Sequence, residues 1–127
     1  MCGISGLISI DDYTNPDDLS QSCLNMIQAI HYRGPDNLGQ WISDDGKVHF
    51  AHRRLSIIDL TNSAHQPMAY KNNWVLTFNG EIYNFLELKN KLISFGYHFN
   101  THSDTEVLLA CLDYYGYDIF NQLDGKE

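Results

Sequence analysis

The sequence predicts a protein of the α+β class, one continuous unit that mixes strands with helices. Three observations carry this. Strand-like and helix-like apolar patterns succeed one another along the chain, with no internal repeat, low-complexity tract or linker between them. Asp44-Asp45-Gly46 stands between two strand-like segments and reads as a hairpin, with Gly46 taking the positive φ the turn requires. Helix starts are punctuated twice, by Asn15-Pro16 and by Ser103-Asp104-Thr105-Glu106.

Residues 2–10 read as a strand with close backbone approach at Gly3 and Gly6, because a glycine weakens a strand unless something packs against it. Asn15 caps a helix whose first position is Pro16 and which runs to about residue 31, ending at the loop Arg33-Gly34-Pro35-Asp36. Residues 40–43 and 47–55 are the two hairpin strands, and 59–67 is a polar loop. A strand over 74–78 leads into Asn79-Gly80-Glu81, followed by a helix over about 84–95 that stops at Gly96. Residues 97–99 are a short strand candidate. The S-x-x-E capping box at Ser103 starts a last helix that ends at Gly116, and the tail after it carries no clear pattern.

With 127 residues and 43% hydrophobic content, the chain has the size and composition of one ordinary globular domain or part of one. A formal charge of −8 argues against nucleic acid and anionic membranes as partners, since their binders gather Lys and Arg into a basic face. No apolar run approaches the roughly 20 residues of a membrane span, and no signal-peptide pattern opens the chain, so a cytoplasmic location is expected. Three cysteines without C-x-x-C spacing suggest neither a disulfide framework nor a zinc knuckle. Cys23 and Cys111 share helical faces with Leu, Ile and Val and are expected to be buried small hydrophobes. The six histidines fit no common ligand spacing, so no metal site is expected and a metal hydrolase is a poor reading.

Cys2 is different because it opens a Gly-rich strand at the second position. Removal of an initiator methionine is favoured before a small residue. The freed α-amine, titrating in general at about 7.7 to 8.0 against about 8.5 for a thiol, would let one residue supply both nucleophile and base. Arg53 and Arg54 sit in an otherwise apolar strand; a solvated strand face is the simpler reading from this segment alone, and a two-pronged grip on a carboxylate is the functional one. Asn79-Gly80 follows a strand but precedes a helix, so beside an ordinary turn it offers an amide and an N–H that would hold an oxyanion. Asp104 at a helix start is favourable with the helix dipole in any protein, yet with Ser103 as cap its carboxylate would also suit a ligand ammonium.

Taken together, MCGISG, Arg33-Gly34-Pro35-Asp36, HRRLSIID at 52–59, Gln66-Pro67, NGEIYN at 79–84 and SDTEVLL at 103–109 resemble the class II glutamine amidotransferases, most closely the glutaminase domain of glutamine-hydrolysing asparagine synthetases. The resemblance covers nearly the whole chain. It implies an N-terminal-nucleophile hydrolase fold, four layers αββα with two antiparallel sheets between helices. It implies Cys2 as nucleophile, Asn79 and Gly80 as oxyanion hole, Arg54 on the glutamine α-carboxylate and Asp104 on its α-ammonium. Glu81 and the backbone near Leu55 and Ile57 complete the pocket, while Arg33 and Asp36 fix the covering loop. The glutaminase step needs no cofactor; ATP and Mg would serve only the synthetase part, whose phosphate-binding loop has no counterpart in this sequence.

In that family the glutaminase domain runs on beyond this length, so residues 1–127 are expected to be an incomplete domain without its synthetase partner, whose acceptor the sequence does not name. Unpaired sheet edges at the C-terminal end would favour a homodimer. Two alternatives stand beside the glutaminase: a non-catalytic, structural or self-associating piece of the same fold, and an amidotransferase acting on a sugar or another carboxylate.

Overall fold

The computed structural model describes residues 2–55 and 65–126. They form two compact units: one comprises residues 2–55, 65–67 and 77–79, and the other residues 68–76 and 80–126. Helices and strands are mixed, and every strand pairing among the described residues is antiparallel, which fits the α+β class.

The first unit is built on a three-stranded sheet in the order β1-β3-β2, with β1 Gly3–Ile8, β2 Asn37–Ile42 and β3 Val48–Arg54. The β2–β3 pair is the expected hairpin. Its turn is closed by Asp45, whose carboxylate accepts from Ser43 Oγ at 2.6 Å and Lys47 N at 3.0 Å, and Gly46 takes φ +70°. Helix α1, Pro16–Ala29, begins where Asn15 Oδ1 accepts from Asp17 N at 2.9 Å, a cap worth about 1 kcal/mol. It buries Cys23 and Ile27 against Ala51 of β3, and Leu7, Leu24, Ile30 and Leu38 close the cluster. The α1 face of the sheet therefore carries odd-numbered β3 residues, and by the two-residue strand period the even-numbered His52 and Arg54 face the other way.

After α1 a single 3-10 turn, His31–Arg33, leads into the predicted loop, which folds onto the β3 backbone. A Cβ on Gly34 would fall on the Arg53 carbonyl and within 2.6 Å of Arg54 N. Neither backbone atom can withdraw without breaking the ladder. Gly34→Ala is therefore expected to destabilise the protein by about 3 kcal/mol, at the upper end of ordinary overpacking, read as a lowered urea midpoint; an unchanged midpoint would contradict this packing.

The second unit holds two small antiparallel strand pairs and two helices. Strands β4 Met68–Tyr70 and β5 Trp74–Leu76 pair with each other, and β6 Glu81–Ile82 pairs with β7 Gly125–Lys126. Helix α2, Phe85–Ser94, gives way to Gly96 at φ +94°, and α3, Asp104–Tyr115, ends at Gly116, whose φ of +61° with ψ −150° suits glycine alone. From Thr105 to Leu112 α3 is buried on every side, packed on α2 through Leu88 and Leu92.

Several local expectations differ from the structure. Residues 97–99 form no strand. The segment instead carries Tyr97, whose hydroxyl donates to Asp113 at 2.8 Å. The capping box is only half made: Ser103 Oγ accepts from Glu106 N at 3.2 Å, but the buried Glu106 carboxylate turns to Asn100 N, Thr101 N and Thr101 Oγ1. A Glu buried beside three donors keeps them rather than returning to the cap residue. Strand β4, the short 3-10 segment Gly116–Asn121 and β7 had no expectation attached to them. Most of the predicted 59–67 loop lies outside the described residues. Among those described, no helix is long and apolar enough to cross a membrane, and no group of three or more His, Cys, Asp and Glu gathers as a metal-binding set.

Candidate active site

Cys2 stands just ahead of β1, half-buried, and its heteroatoms are held by three separate segments. Its N donates to Asn79 Oδ1 at 3.0 Å, its carbonyl accepts from Arg33 Nε at 3.2 Å, and its Sγ meets both backbone groups of Leu55. Leu55 N donates to sulfur at 3.4 Å, and the thiol points to the Leu55 carbonyl at 3.9 Å. The Arg33-Gly34-Pro35-Asp36 loop thus reaches the site directly, and Asp36 N donates to Arg54 O at 3.1 Å, tying the loop to the end of β3.

Strand register separates the two arginines that the sequence left open. Gly3 pairs with Arg53, so Arg53 lies on the α1 face, where its Nε is buried without a partner among the described residues. Arg54 is one residue on and lies on the opposite face, the face that Cys2 takes by the same alternation. Asn79 accepts from Cys2 through Oδ1, and its Nδ2 is the donor end of the amide, the kind of group an oxyanion needs.

Gly80, Glu81 and Asp104 belong to the second unit, and Ile57 lies outside the described residues. There Asp104, the first residue of α3, accepts from Ile82 N through Oδ2 at 3.1 Å. Burial raises its carboxyl above the ordinary value; the Ile82 N–H opposes this and the nearby Glu81 charge adds to it. An ammonium ligand is the kind of group that would relieve such a carboxylate.

Two residues enter that had no role assigned. His52 is 1% exposed, and its Nε2 lies 3.3 Å from the Phe78 carbonyl. Gln66 Oε1 accepts from Phe78 N at 2.6 Å. The signal for His52 was there in the alternation: two residues from Arg54, it shares that face.

Burial pushes the His52 ring down from 6.5 to about 4; the bond to Phe78 opposes this and the Arg54 charge reinforces it. The unfolded chain therefore takes up a proton as pH falls through 6.5, while the folded chain does so only near 4. His52 adds stability above 6.5 that is lost between those values, about 3 kcal/mol in all. The stability difference between the wild type and His52→Gln is expected to shrink between pH 7.5 and pH 4.5 in urea titrations; a difference constant with pH would contradict the buried neutral ring.

The remaining thiols are poor nucleophiles. Cys23 and Cys111 are buried, and burial pushes the Cys111 thiol up to about 11.

The family described as Glutamine amidotransferase domain matches residues 1–126. Asparagine synthetase [glutamine-hydrolyzing] 1 of Bacillus subtilis is 42% identical over 127 residues, covering 98% of this chain and 20% of that protein. Putative asparagine synthetase [glutamine-hydrolyzing] 2 of Methanocaldococcus jannaschii is 33% identical over 142 residues, covering 98% of this chain and 26% of its own length. Amidase chry2 of Gibberella zeae is 31% identical over 134 residues, 99% of this chain and 20% of that protein. The chain thus spans only about a fifth to a quarter of the curated relatives it matches.

Proposed function

The chain belongs to the glutamine amidotransferase domain family, and we propose that residues 1–127 are glutaminase-domain sequence that hydrolyses glutamine to glutamate and ammonia through a thioester on Cys2. The observation that carries this reading is the grip on Cys2, whose N meets the Asn79 side chain while the Leu55 backbone faces its sulfur. An N-terminal-nucleophile hydrolase fold, αββα with two antiparallel sheets, is part of the same proposal, supported by the family match and the antiparallel pairing.

The chemistry follows from what each group can do. With Met1 removed, the Cys2 α-amine takes the thiol proton, and the thiolate attacks the side-chain amide carbon of glutamine. Asn79 Nδ2 and the Gly80 N–H donate to the tetrahedral oxyanion. Its collapse breaks the C–N bond, ammonia leaves with the proton carried by the α-amine, and water releases glutamate from the thioester. Arg54 takes the α-carboxylate in a forked bond and Asp104 the α-ammonium; Glu81 and the Leu55 backbone line the pocket.

The ammonia would be consumed by a synthetase part that uses ATP and Mg to activate a carboxylate acceptor. Aspartate is the default acceptor, supported by the printed names of the asparagine synthetases above. The three free cysteines suit a reducing, cytoplasmic setting.

Glutamate release by the chain beginning at Cys2, measured with a coupled dehydrogenase, tests the proposal. Turnover is expected, and its absence under saturating glutamine would count against it. Asp104→Asn removes a charge that meets substrate before and during the chemistry, so KM should rise ~10-fold or more with kcat changed little. An unaltered KM would remove Asp104 from the pocket.

A further inference from the structure

Strand β5 ends at Leu76, and residues 77–79, which carry the Asn79 donor, belong to no strand ladder among the described residues. Their backbone groups must find partners elsewhere, because an unsatisfied buried peptide group costs as much as a lost hydrogen bond. At Phe78 both partners are side chains: the His52 ring on the carbonyl at 3.3 Å and Gln66 Oε1 on the N–H at 2.6 Å. We infer that His52 and Gln66 are positioning residues that hold the two successive peptide groups flanking the Phe78 Cα, Gln66 on the Thr77–Phe78 N–H and His52 on the Phe78–Asn79 carbonyl, and thereby set the Asn79 side chain against Cys2. The inference rests on the glutaminase reading, in which Asn79 is an oxyanion donor.

The clamp is built into the sheet. His52 sits in the central strand, paired with Ile4 on one side and Gly39 on the other. A Cβ at Gly39 would run into the Gln66 carbonyl, so this glycine lets the Gln66 backbone come down on β2 beside His52. The ring is neutral with its hydrogen on Nε2, the only state that lets it donate to a carbonyl while leaving Nδ1 a bare acceptor. That agrees with a buried Nδ1 lacking a partner among the described residues and with a ring held near 4 by burial.

From Phe78 the chain runs one residue to Asn79, and the Cys2 N–Asn79 Oδ1 bond then fixes the amide relative to the nucleophile. A donor acting on a developing oxyanion is sensitive to position, since a misplacement of about 1 Å can cost ~10²-fold in rate. His52 and Gln66 touch neither substrate nor the reacting atoms in this scheme. They act through the two peptide groups on either side of the Phe78 Cα.

The test compares His52→Phe and Gln66→Leu, which delete one jaw each, with His52→Gln and Gln66→Glu, which keep a donor or an acceptor of similar reach. All are made in the full chain beginning at Cys2. We expect kcat to fall ~10-fold or more in the deleting variants with KM for glutamine within about twofold, because an oxyanion contact is made only in the transition state. Recovery is expected in the conservative pair. Alkylation of Cys2 by iodoacetamide, which forms no oxyanion, should proceed as in the wild type, and in an Asn79→Ala background the jaw deletions should have no further effect on kcat. Should His52→Phe fail to fold, Gln66→Leu carries the same comparison.

Unchanged kcat, or losses that multiply with that of Asn79→Ala, would overturn the clamp. Hydrogen exchange at the Phe78 amide separates this from the fate of the glutaminase reading, because it needs no turnover. Exchange accelerated ~10-fold or more in Gln66→Leu supports the clamp even if the wild type hydrolyses nothing; unchanged exchange overturns it even if the enzyme is active.

Discussion

Cys2→Ala is expected to abolish glutamine hydrolysis, with a loss on the order of 10⁶ where a covalent nucleophile is deleted. The variant removes only Sγ. Its N and carbonyl, which Asn79 and Arg33 engage, remain, so the strand that begins at Gly3 should pair with β3 as before and stability should change little. The matching chemical result is selective alkylation: iodoacetamide applied to the native chain should modify Cys2 and spare Cys23 and Cys111, both buried in helices, the latter with its thiol pushed up to about 11. Cys23→Ala and Cys111→Ala should alter the urea midpoint while leaving kcat in place. Turnover by Cys2→Ala at the wild-type rate would end the nucleophile assignment.

Asn79 offers the second large effect, and its two ends allow a cleaner experiment than simple deletion. Asn79→Ala removes both the acceptor for Cys2 N and the Nδ2 donor, and kcat should fall ~10² to 10³-fold. Asn79→Asp keeps an oxygen for the Cys2 N–H but replaces the donor amide with a second acceptor, which repels a developing oxyanion. The loss of kcat should therefore be at least as large as for alanine, while the stability that the Cys2 contact contributes is retained. The opposite pattern, an active Asn79→Asp with an inactive Asn79→Ala, would mean that Asn79 serves only to hold Cys2.

Much of this was legible in the sequence where a residue type answers a local demand. Asn15-Pro16 and Asp44-Asp45-Gly46 fixed a helix start and a hairpin within a few residues, because a cap oxygen, a proline ring and a positive-φ glycine act on their own neighbours. Family motifs pointed to Cys2, Asn79 and Leu55, and the structure brings these three together in one unit.

What local reading missed depended on partners distant in the chain. Glu106 left the capping box for Asn100 and Thr101 because burial of α3 placed three donors around it. The β4–β5 turn runs through Lys71 and Asn72 at φ +49° and +60°, a conformation no lysine announces. Strand β7 is visible only through its pairing with β6, 43 residues earlier at Glu81 and Ile82. Arg53 and Arg54 are indistinguishable by composition, and strand alternation separates them only once Gly3 is known to face Arg53. His52 and Gln66 acquire meaning only when both are found on the backbone of one residue, Phe78.

A glutamine-selective nucleophile at Cys2 can be read from the intact mass of the chain after exposure to a glutamine-like chloroketone. The unreacted mass shows whether Met1 has been removed. On the Met1-free chain a single adduct is expected, mapped to Cys2 and suppressed by excess glutamine. An adduct at Cys23 or Cys111, or labelling of Cys2 that glutamine leaves untouched, would mean that Cys2 is not a glutamine-selective nucleophile.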